Sequence, residues 1–304
     1  MQRSPRQTVA AALSPVVDAY LRMAAAMGED LASAALAKGR RNPFDLRDPG
    51  YIERTLPALR LMSNLYFRAS VTGLDNIPAE GPVLLVGNHS GGTWIADTFV
   101  FAQNFYDWFG ADRRFHQLAH DLVFKLVGLR TLIQRYGTVP ASPENMTTAL
   151  ERGSALLVYP GGDEETYRPS WESDKVNLAH RTGFVRLALE HDVPIVPVVA
   201  IGGQETALFL GRGRRLAQWL RLDRTLRLKV LPPVLGPPAI LTILDLPIRF
   251  PLPAKISIEV LEPIDLRHQL GPSPDVEEGY RRVTRVMQDT LTRMGDERTL
   301  PVLG

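Results

Sequence analysis

Residues 83–97, V-L-L-V-G-N-H-S-G-G-T-W-I-A-D, constrain the possible folds of this chain more than any other stretch. The first four are apolar and predict a buried strand, and residues 87–92 predict a tight turn. Residues 94–109 predict an apolar helix with Thr93 as its N-cap. This order places His89 at the carboxyl end of a strand and just before a helix, which is where ligands bind in open α/β sheets.

His89 and Asp97 are the candidate catalytic pair. Asp97 begins the predicted helix, from which its carboxylate can reach back and hold an imidazole ring. A lone loop histidine is more often purely structural, but the flanking glycines, the strand-turn-helix context and the nearby acid favour a functional one. The sequence therefore predicts that these two residues act together.

Strand and helix patterns alternate along the rest of the chain. Further strands are predicted at 114–120, 154–159, 194–201 and 255–261. The clearest helices between and after them are predicted at 142–153, 183–191 and 274–294. This alternation predicts an α/β fold with a mixed, mostly parallel sheet flanked by helices.

The first part of the chain reads as helical. Residues 8–39 and 51–67 predict two helices, so residues 1–67 are interpreted as an N-terminal helical segment and residues 68–304 as the main domain. The first helix either caps the core or contacts a membrane. No run of about 18 uncharged apolar residues occurs, so no transmembrane helix is predicted.

Composition excludes several classes of function. A net charge of only +2 argues against a protein that binds nucleic acid through its overall charge. Cysteine is absent, which excludes disulfides, thiolate metal sites and a cysteine nucleophile. His116 and His120 lie four apart, but on a predicted strand without a third ligand nearby, so no metal site is predicted.

A basic segment precedes an uncharged one. Residues 212–229 contain seven cations and one acid, whereas residues 230–244 contain no charge and four prolines. Two interpretations remain open: a solvated helix face followed by a packed loop, or a contact with a membrane surface. The second would make this a peripheral protein on the cytoplasmic face of a membrane.

Four blocks occur in a fixed order: G-N-H-S-G-G-T-W-I-A-D at 87–97, Y-G-T-V-P-A-S at 136–142, V-Y-P-G-G-D-E-E at 158–165 and V-P-I-V-P-V at 193–198. The set resembles the glycerolipid and lysophospholipid acyltransferase family over about residues 60–270. The resemblance implies that residues 68–304 are an acyltransferase domain. It also implies an O-acyltransferase that moves a fatty acyl group from acyl-CoA or acyl carrier protein to a lipid hydroxyl, with a membrane surface as partner and no metal or bound cofactor.

The chain departs from the family pattern at three places. Seven residues separate His89 from Asp97, where the family usually has four. The second block has no arginine for an acceptor phosphate, and the third has Gly161 where many phosphate-using members have Glu. The third block is more similar to the diacylglycerol and phytyl-ester synthase branch, with Glu165 as its acid. A neutral lipid alcohol is therefore a candidate acceptor beside a lysophospholipid.

Acyl transfer needs a base for the attacking hydroxyl and hydrogen-bond donors for the developing oxyanion. His89, oriented by Asp97, is the predicted base. The glycine pairs of the two turns offer close backbone amides as oxyanion donors. Glu165 and Arg168 either hold the acceptor or form a surface ion pair. The residues predicted to bind substrate are Asn88, Ser90, Gly91, Gly92, Gly161, Gly162, Glu165 and Arg168.

Two other functions remain as alternatives. A lipid esterase would use Ser90 as its nucleophile, although Asn88 stands where a G-x-S-x-G turn has its first glycine. A non-enzymatic lipid-binding protein would retain lipid without turnover.

Overall fold

The structure is a computed structural model that describes residues 42–121, 123–125, 127–225, 228–236, 240–243, 251–300 and 302–303. Within these ranges the strands, in chain order, are β1 (Ser70–Thr72), β2 (Val83–Gly87), β3 (Phe115–Ala119), β4 (Thr138–Pro140), β5 (Ala155–Val158), β6 (Ile195–Ile201), β7 (Leu208–Phe209), β8 (Pro233–Gly236), β9 (Ile240–Ile243) and β10 (Ser257–Val260).

The α-helices of the described ranges lie before, between and after these strands. They are α1 (Pro49–Leu61), α2 (Ala96–Phe109), α3 (Val127–Arg135), α4 (Pro143–Glu151), α5 (Gly162–Thr166), α6 (Gly183–His191), α7 (Arg214–Trp219), α8 (Leu222–Thr225), α9 (Leu266–Leu270) and α10 (Val276–Asp296). Ser142 caps α4 as predicted, since its hydroxyl accepts a hydrogen bond from the amide of Asn145 at 3.1 Å.

Seven strands form the main sheet in the order β1-β10-β6-β2-β5-β3-β4. The strands from β6 to β4 in this order are all parallel to their neighbours. β10 pairs antiparallel with β6 and parallel with β1, so the two strands at that edge run the other way. The predicted mixed, mostly parallel sheet is confirmed.

Helices cover both faces of the main sheet. Val83 and Leu85 of β2 point into a buried cluster with residues of α1 and α2. Leu84 and Val86 point to the opposite face, into a cluster with residues of α4, α6 and α10. Burial on both faces explains why β2 reads as an unbroken apolar run, as expected for a central parallel strand.

The predicted N-terminal helices are only partly described. The helix predicted at 8–39 lies outside the described residues. The second predicted helix is α1, which Asp48 caps by accepting from the Tyr51 amide at 2.9 Å, followed by a π-helical turn at Met62–Tyr66. Ile52 and Leu56 of α1 are buried in the same cluster as the sheet residues, so α1 belongs to the core of the main fold.

The basic segment is more structured than predicted. Arg212 pairs with Glu172 at 2.6 Å and Arg214 pairs with Glu164 at 2.5 Å, so these two cations are not simply solvated. The uncharged segment, for which the sequence leaves both a packed loop and a membrane contact open, supplies β8 and β9, which join β7 in a second, antiparallel sheet. No helix among the described residues is both long and apolar enough to span a bilayer.

Candidate active site

The site lies at the carboxyl edge of β2, between β5 and β6. Directly after β2, the amide group of Asn88 exchanges two hydrogen bonds of 2.8 Å with the main chain of Ala200 on β6. The Asn88 side chain thus extends the hydrogen bonding between β2 and β6 by one residue, and it is fully buried. Asn88 therefore fixes the start of the His89 loop on the neighbouring strand, whereas the sequence predicted a substrate contact for it.

The loop between His89 and Asp97 accommodates the long spacer. Gly91 and Gly92 adopt positive φ angles of 88° and 64°, which side chains other than glycine rarely adopt. A 3-10 turn at Gly92–Trp94 follows, and α2 begins at Ala96. The extra residues therefore loop out, and Asp97 returns to the side of His89.

Thr93 does not cap α2, which corrects the sequence prediction. The cap position belongs to Ile95, and the 3-10 turn displaces Thr93 from the helix start. The Thr93 hydroxyl instead forms a 2.7 Å hydrogen bond with the hydroxyl of Tyr167, which ties the His89 loop to the segment after α5.

The imidazole of His89 faces the carboxylate of Asp97. Its Nδ1 atom lies 3.6 Å from Oδ2 of Asp97, a contact longer than a hydrogen bond. Among the described residues Nδ1 has no hydrogen-bond partner, and the side chain of His89 is 14% exposed. Catalytic hydrogen bonds are often long before substrate binds. The pair is thus arranged so that a small movement of the ring completes the contact.

Asp97 also holds the loop that carries His89. Its Oδ2 atom accepts from the amide of Ser90 at 2.9 Å and from the Ser90 hydroxyl at 3.0 Å, and its Oδ1 atom accepts from the Thr98 amide at 2.7 Å. Ser90 is buried. A buried hydroxyl that already donates to a carboxylate is poorly placed for nucleophilic attack, which disfavours the esterase alternative.

Tyr159 supports the ring of His89 and was missed in the sequence. The two rings stack with centroids 4.2 Å apart and planes inclined by 17°. The Tyr159 hydroxyl accepts from Thr98 Oγ1 at 2.9 Å, and burial, together with the charge of Asp97, raises the pKa of this phenol well above its ordinary value. A Cβ atom on Gly87 would lie 2.5 Å from the Tyr159 ring, so glycine is required there.

Only some of the predicted oxyanion donors are available. The Gly91 amide donates to the Gln204 side chain and the Gly162 amide donates to the Tyr159 carbonyl, both at 3.1 Å. Within the described part of the chain, the amides of Gly92 and Gly161 donate to no acceptor. These two amides are therefore the better candidates. A Cβ atom on Gly161 would collide with the carbonyl of Asn177, so no other residue fits.

Glu165 and Arg168 lie beneath the His89 loop, with 0% and 1% of their surfaces exposed. Burial raises the pKa of Glu165 and lowers the pKa of Arg168, and the nearby opposite charge of each partner offsets part of that shift. The sequence predicted either an acceptor contact or a surface ion pair. An acceptor contact and a surface ion pair both require exposed side chains, and neither Glu165 nor Arg168 is exposed.

Arg181 is an exposed cation at the third block that sequence analysis missed. Its Nη1 atom donates to the Pro160 carbonyl at 2.9 Å, and its Nη2 atom lies 3.5 Å from Asp163. The side chain is 42% exposed and covers the position where a Cβ atom on Gly162 would lie. It lies two residues before α6, where no sequence pattern indicates contact with the site.

Comparison with known proteins shows which family this chain is similar to. Residues 68–201 match the model of the family described as Acyltransferase. An uncharacterized protein of Mycobacterium tuberculosis is 30% identical over 208 residues, which is 68% of this chain and 55% of that protein. A human protein named "DGAT1/2-independent enzyme synthesizing storage lipids" is 30% identical over 156 residues, 49% of this chain and 44% of that one.

A plant relative and a solved structure are also similar. The chloroplastic phytyl ester synthase 2 of Arabidopsis thaliana is 31% identical over 153 residues, 47% of this chain and 21% of that protein. The crystal structure of the 1-acyl-sn-glycerophosphate acyltransferase PlsC of Thermotoga maritima has a TM-score of 0.52 and 17% identity. That match covers 95% of this chain and 98% of the other, and it shows the fold alone.

The chain spans about half the length of the first two of these relatives. All four blocks that the sequence singled out lie within residues 68–201, which match the family model. The family model and the relatives agree with the resemblance seen in those blocks, and residues 68–201 are similar to the acyltransferase family.

Proposed function

We propose that this protein transfers a fatty acyl group from an acyl thioester, acyl-CoA or acyl carrier protein, to the hydroxyl of a lipid, with His89 as the general base. The observation that carries the proposal is the position of His89 within the family domain. Its ring stands at the carboxyl edge of the sheet, 3.6 Å from Asp97, and is partly exposed. The acyl thioester is a co-substrate, and the proposed reaction needs no metal or bound cofactor.

The geometry suggests how the reaction proceeds. Because Nδ1 of His89 faces Asp97, Nε2 is the atom that takes the hydroxyl proton as the oxygen attacks the thioester carbonyl. The amides of Gly92 and Gly161 are the proposed donors to the oxyanion of the tetrahedral intermediate. The intermediate then collapses, the carbon–sulfur bond breaks, and the proton held by His89 passes to the leaving thiolate.

We expect a neutral alcohol to compete well with a lysophospholipid as acceptor. The second block lacks the phosphate-binding arginine, Arg168 is buried, and two relatives have names that refer to storage lipids and phytyl esters. The test is purified protein with radiolabelled acyl-CoA and a panel of lysophosphatidate, monoacylglycerol, diacylglycerol and long-chain alcohols. A clear preference in kcat/KM for lysophosphatidate over every neutral acceptor would contradict this expectation and would make Arg181 the candidate phosphate ligand.

We also propose that the protein contacts a membrane through the region 208–243, as a peripheral protein on the cytoplasmic face. Leu208, Leu235 and Leu241 are cross-strand neighbours on the outer face of the second sheet, and they are 44%, 38% and 58% exposed. Nearby along the chain, Trp219 at the end of α7 is 78% exposed. Arg215 and Arg224 are exposed cations of the same region. Exposed apolar side chains next to exposed cations favour binding to an anionic bilayer surface.

Charge reversal should weaken this contact. Arg214 is ion-paired, so the variant changes Arg215 and Arg224, which are exposed. Near an anionic surface each cation contributes about 1 kcal/mol, so the double variant to Glu should bind anionic liposomes roughly tenfold or more weakly in a flotation assay. The same reversal at Arg281 and Arg285, exposed on α10, is the control. Unchanged flotation with a higher KM for acyl-CoA in detergent would assign the patch to the donor.

A further inference from the structure

Two buried side chains of opposite charge, those of Glu165 and Arg168, hold the main chain of His89. The carboxylate of Glu165 accepts the His89 amide through Oε2 at 3.0 Å and the Asn177 amide through Oε1 at 2.9 Å. Both carboxylate oxygens are thus occupied by backbone donors. Charged acceptors of this kind make stronger hydrogen bonds than neutral ones.

Arg168 holds the other polar group of the same residue. Its Nη1 atom donates to the His89 carbonyl at 2.6 Å and to the Glu165 carbonyl at 3.1 Å, and its Nη2 atom donates to the Ser173 carbonyl at 3.1 Å. Gln204 donates in turn to the Arg168 carbonyl, and its side-chain oxygen accepts the Gly91 amide. The amide of His89 is therefore held by Glu165 of the third block, and its carbonyl by Arg168, three residues after that block.

We infer that Glu165 and Arg168 are positioning residues that fix the main chain of His89 and thereby place its imidazole between Tyr159 and Asp97. This inference rests on the proposed role of His89 as the base. Burying two charges is costly and does not by itself stabilise a fold. Hydrogen bonds to both the amide and the carbonyl of His89 explain why two charges are buried here, because catalysis depends on the exact position of the base.

The third block, together with Arg168 just after it, therefore supports the first block from two directions. Tyr159 lies against the imidazole ring, while Glu165 and Arg168 hold the peptide groups on either side of the His89 Cα atom. The acceptor is not part of this arrangement. The predicted consequence is that these residues affect the rate of the chemical step and leave substrate binding nearly unchanged.

Glu165→Gln is the sharpest variant because it preserves shape. One of the two accepting oxygens becomes an NH2 group, which faces a backbone N–H donor, so only one of the His89 and Asn177 amides stays paired. A displacement of the base by about 1 Å costs about 10²-fold in rate, so kcat should fall by roughly 10- to 100-fold. The KM values for donor and acceptor should stay within about twofold of wild type.

A second measurement reports on His89 without turnover. Diethylpyrocarbonate modifies accessible neutral imidazoles, and the rate at His89 can be read from the mass of its peptide. We expect this rate to increase in Glu165→Gln, because the ring is no longer held in place. Ser154→Ala is the control: it removes the partner of the buried His116 ring, 3.0 Å away, at the opposite end of β5. That variant should lose stability and leave both kcat and the His89 modification rate unchanged.

Arg168→Lys provides a variant that keeps the charge, for the case in which Glu165→Gln does not fold. A single ammonium cannot span the His89 and Ser173 carbonyls as the two guanidinium arms do. The expected result is again a lower kcat, unchanged KM values and faster modification of His89. A folded variant with wild-type kcat and wild-type modification would overturn the inference. So would a rise in the acceptor KM alone, which would mean that the pair contacts the acceptor.

The outcome for His89→Ala separates this inference from the proposed function. If His89→Ala keeps its activity, the base assignment is wrong, whatever the Glu165 variant shows. If His89→Ala is inactive while Glu165→Gln turns over normally, only the positioning role is overturned.

Discussion

Replacing His89 by alanine should reduce acyl transfer by about 10²–10⁴-fold, because a positioned general base contributes that much to the rate. The fold should remain, since His89 lies in a loop and is partly exposed, and its removal opens space beside Tyr159 and Asp97. The measurement is kcat with acyl-CoA and the best acceptor of the panel, on protein whose thermal unfolding matches that of wild type.

His191→Ala is the matched control for this variant. His191 is the last residue of α6 and lies at the end of the sheet opposite the site, just before β6. Its loss should leave kcat unchanged. More than about a tenth of wild-type activity in His89→Ala would be incompatible with a base worth about 10²-fold or more.

Asp97→Asn should lower kcat by about 10²-fold, for two reasons that act together. The variant removes the negative charge that faces Nδ1 of His89 at 3.6 Å. It also replaces one carboxylate oxygen with an NH2 group. Both oxygens of Asp97 accept hydrogen bonds from backbone amides, those of Ser90 and Thr98. One amide is left facing a donor, which costs about 1–3 kcal/mol of stability.

The matched control for Asp97→Asn lies on the same helix. Asp107 pairs with Arg60 near the surface at 2.6 Å, and exposed pairs contribute little. Asp107→Asn should therefore keep wild-type kcat. If Asp97→Asn also kept it, the carboxylate would not orient the ring, and the contact between Asp97 and His89 would have no role in catalysis.

The central strands could be predicted because they are buried on both faces. β2, β5 and β6 read as continuous apolar runs, and such runs are typical of parallel strands covered by helices. The second sheet could not be predicted in this way. Its strands are two to four residues long, prolines lie at the start of β8 and on either side of it, and leucine occurs on the exposed face of the sheet, so neither length nor alternation marks these strands.

The pair His89 and Asp97 could be predicted from order and spacing, because both lie in one strand-turn-helix unit. The residues that hold His89 could not, since their contacts depend on the register of separate strands. Val86 of β2 pairs with Val158 of β5, so the segments that follow these two strands leave the sheet side by side. That register brings Tyr159 against the imidazole of His89. Helix α5 and the residues just after it then place Glu165 and Arg168 beneath the His89 loop.

The most direct test of the proposed function is the fate of the acyl group when wild-type protein consumes acyl-CoA in the presence of a lipid alcohol. The measurement is the amount of lipid ester formed for each CoA released, with free fatty acid counted in the same reaction. Direct transfer with His89 as base predicts nearly one ester per CoA and no acyl adduct on the protein. Free fatty acid as the main product, or an acyl adduct on Ser90, would contradict it.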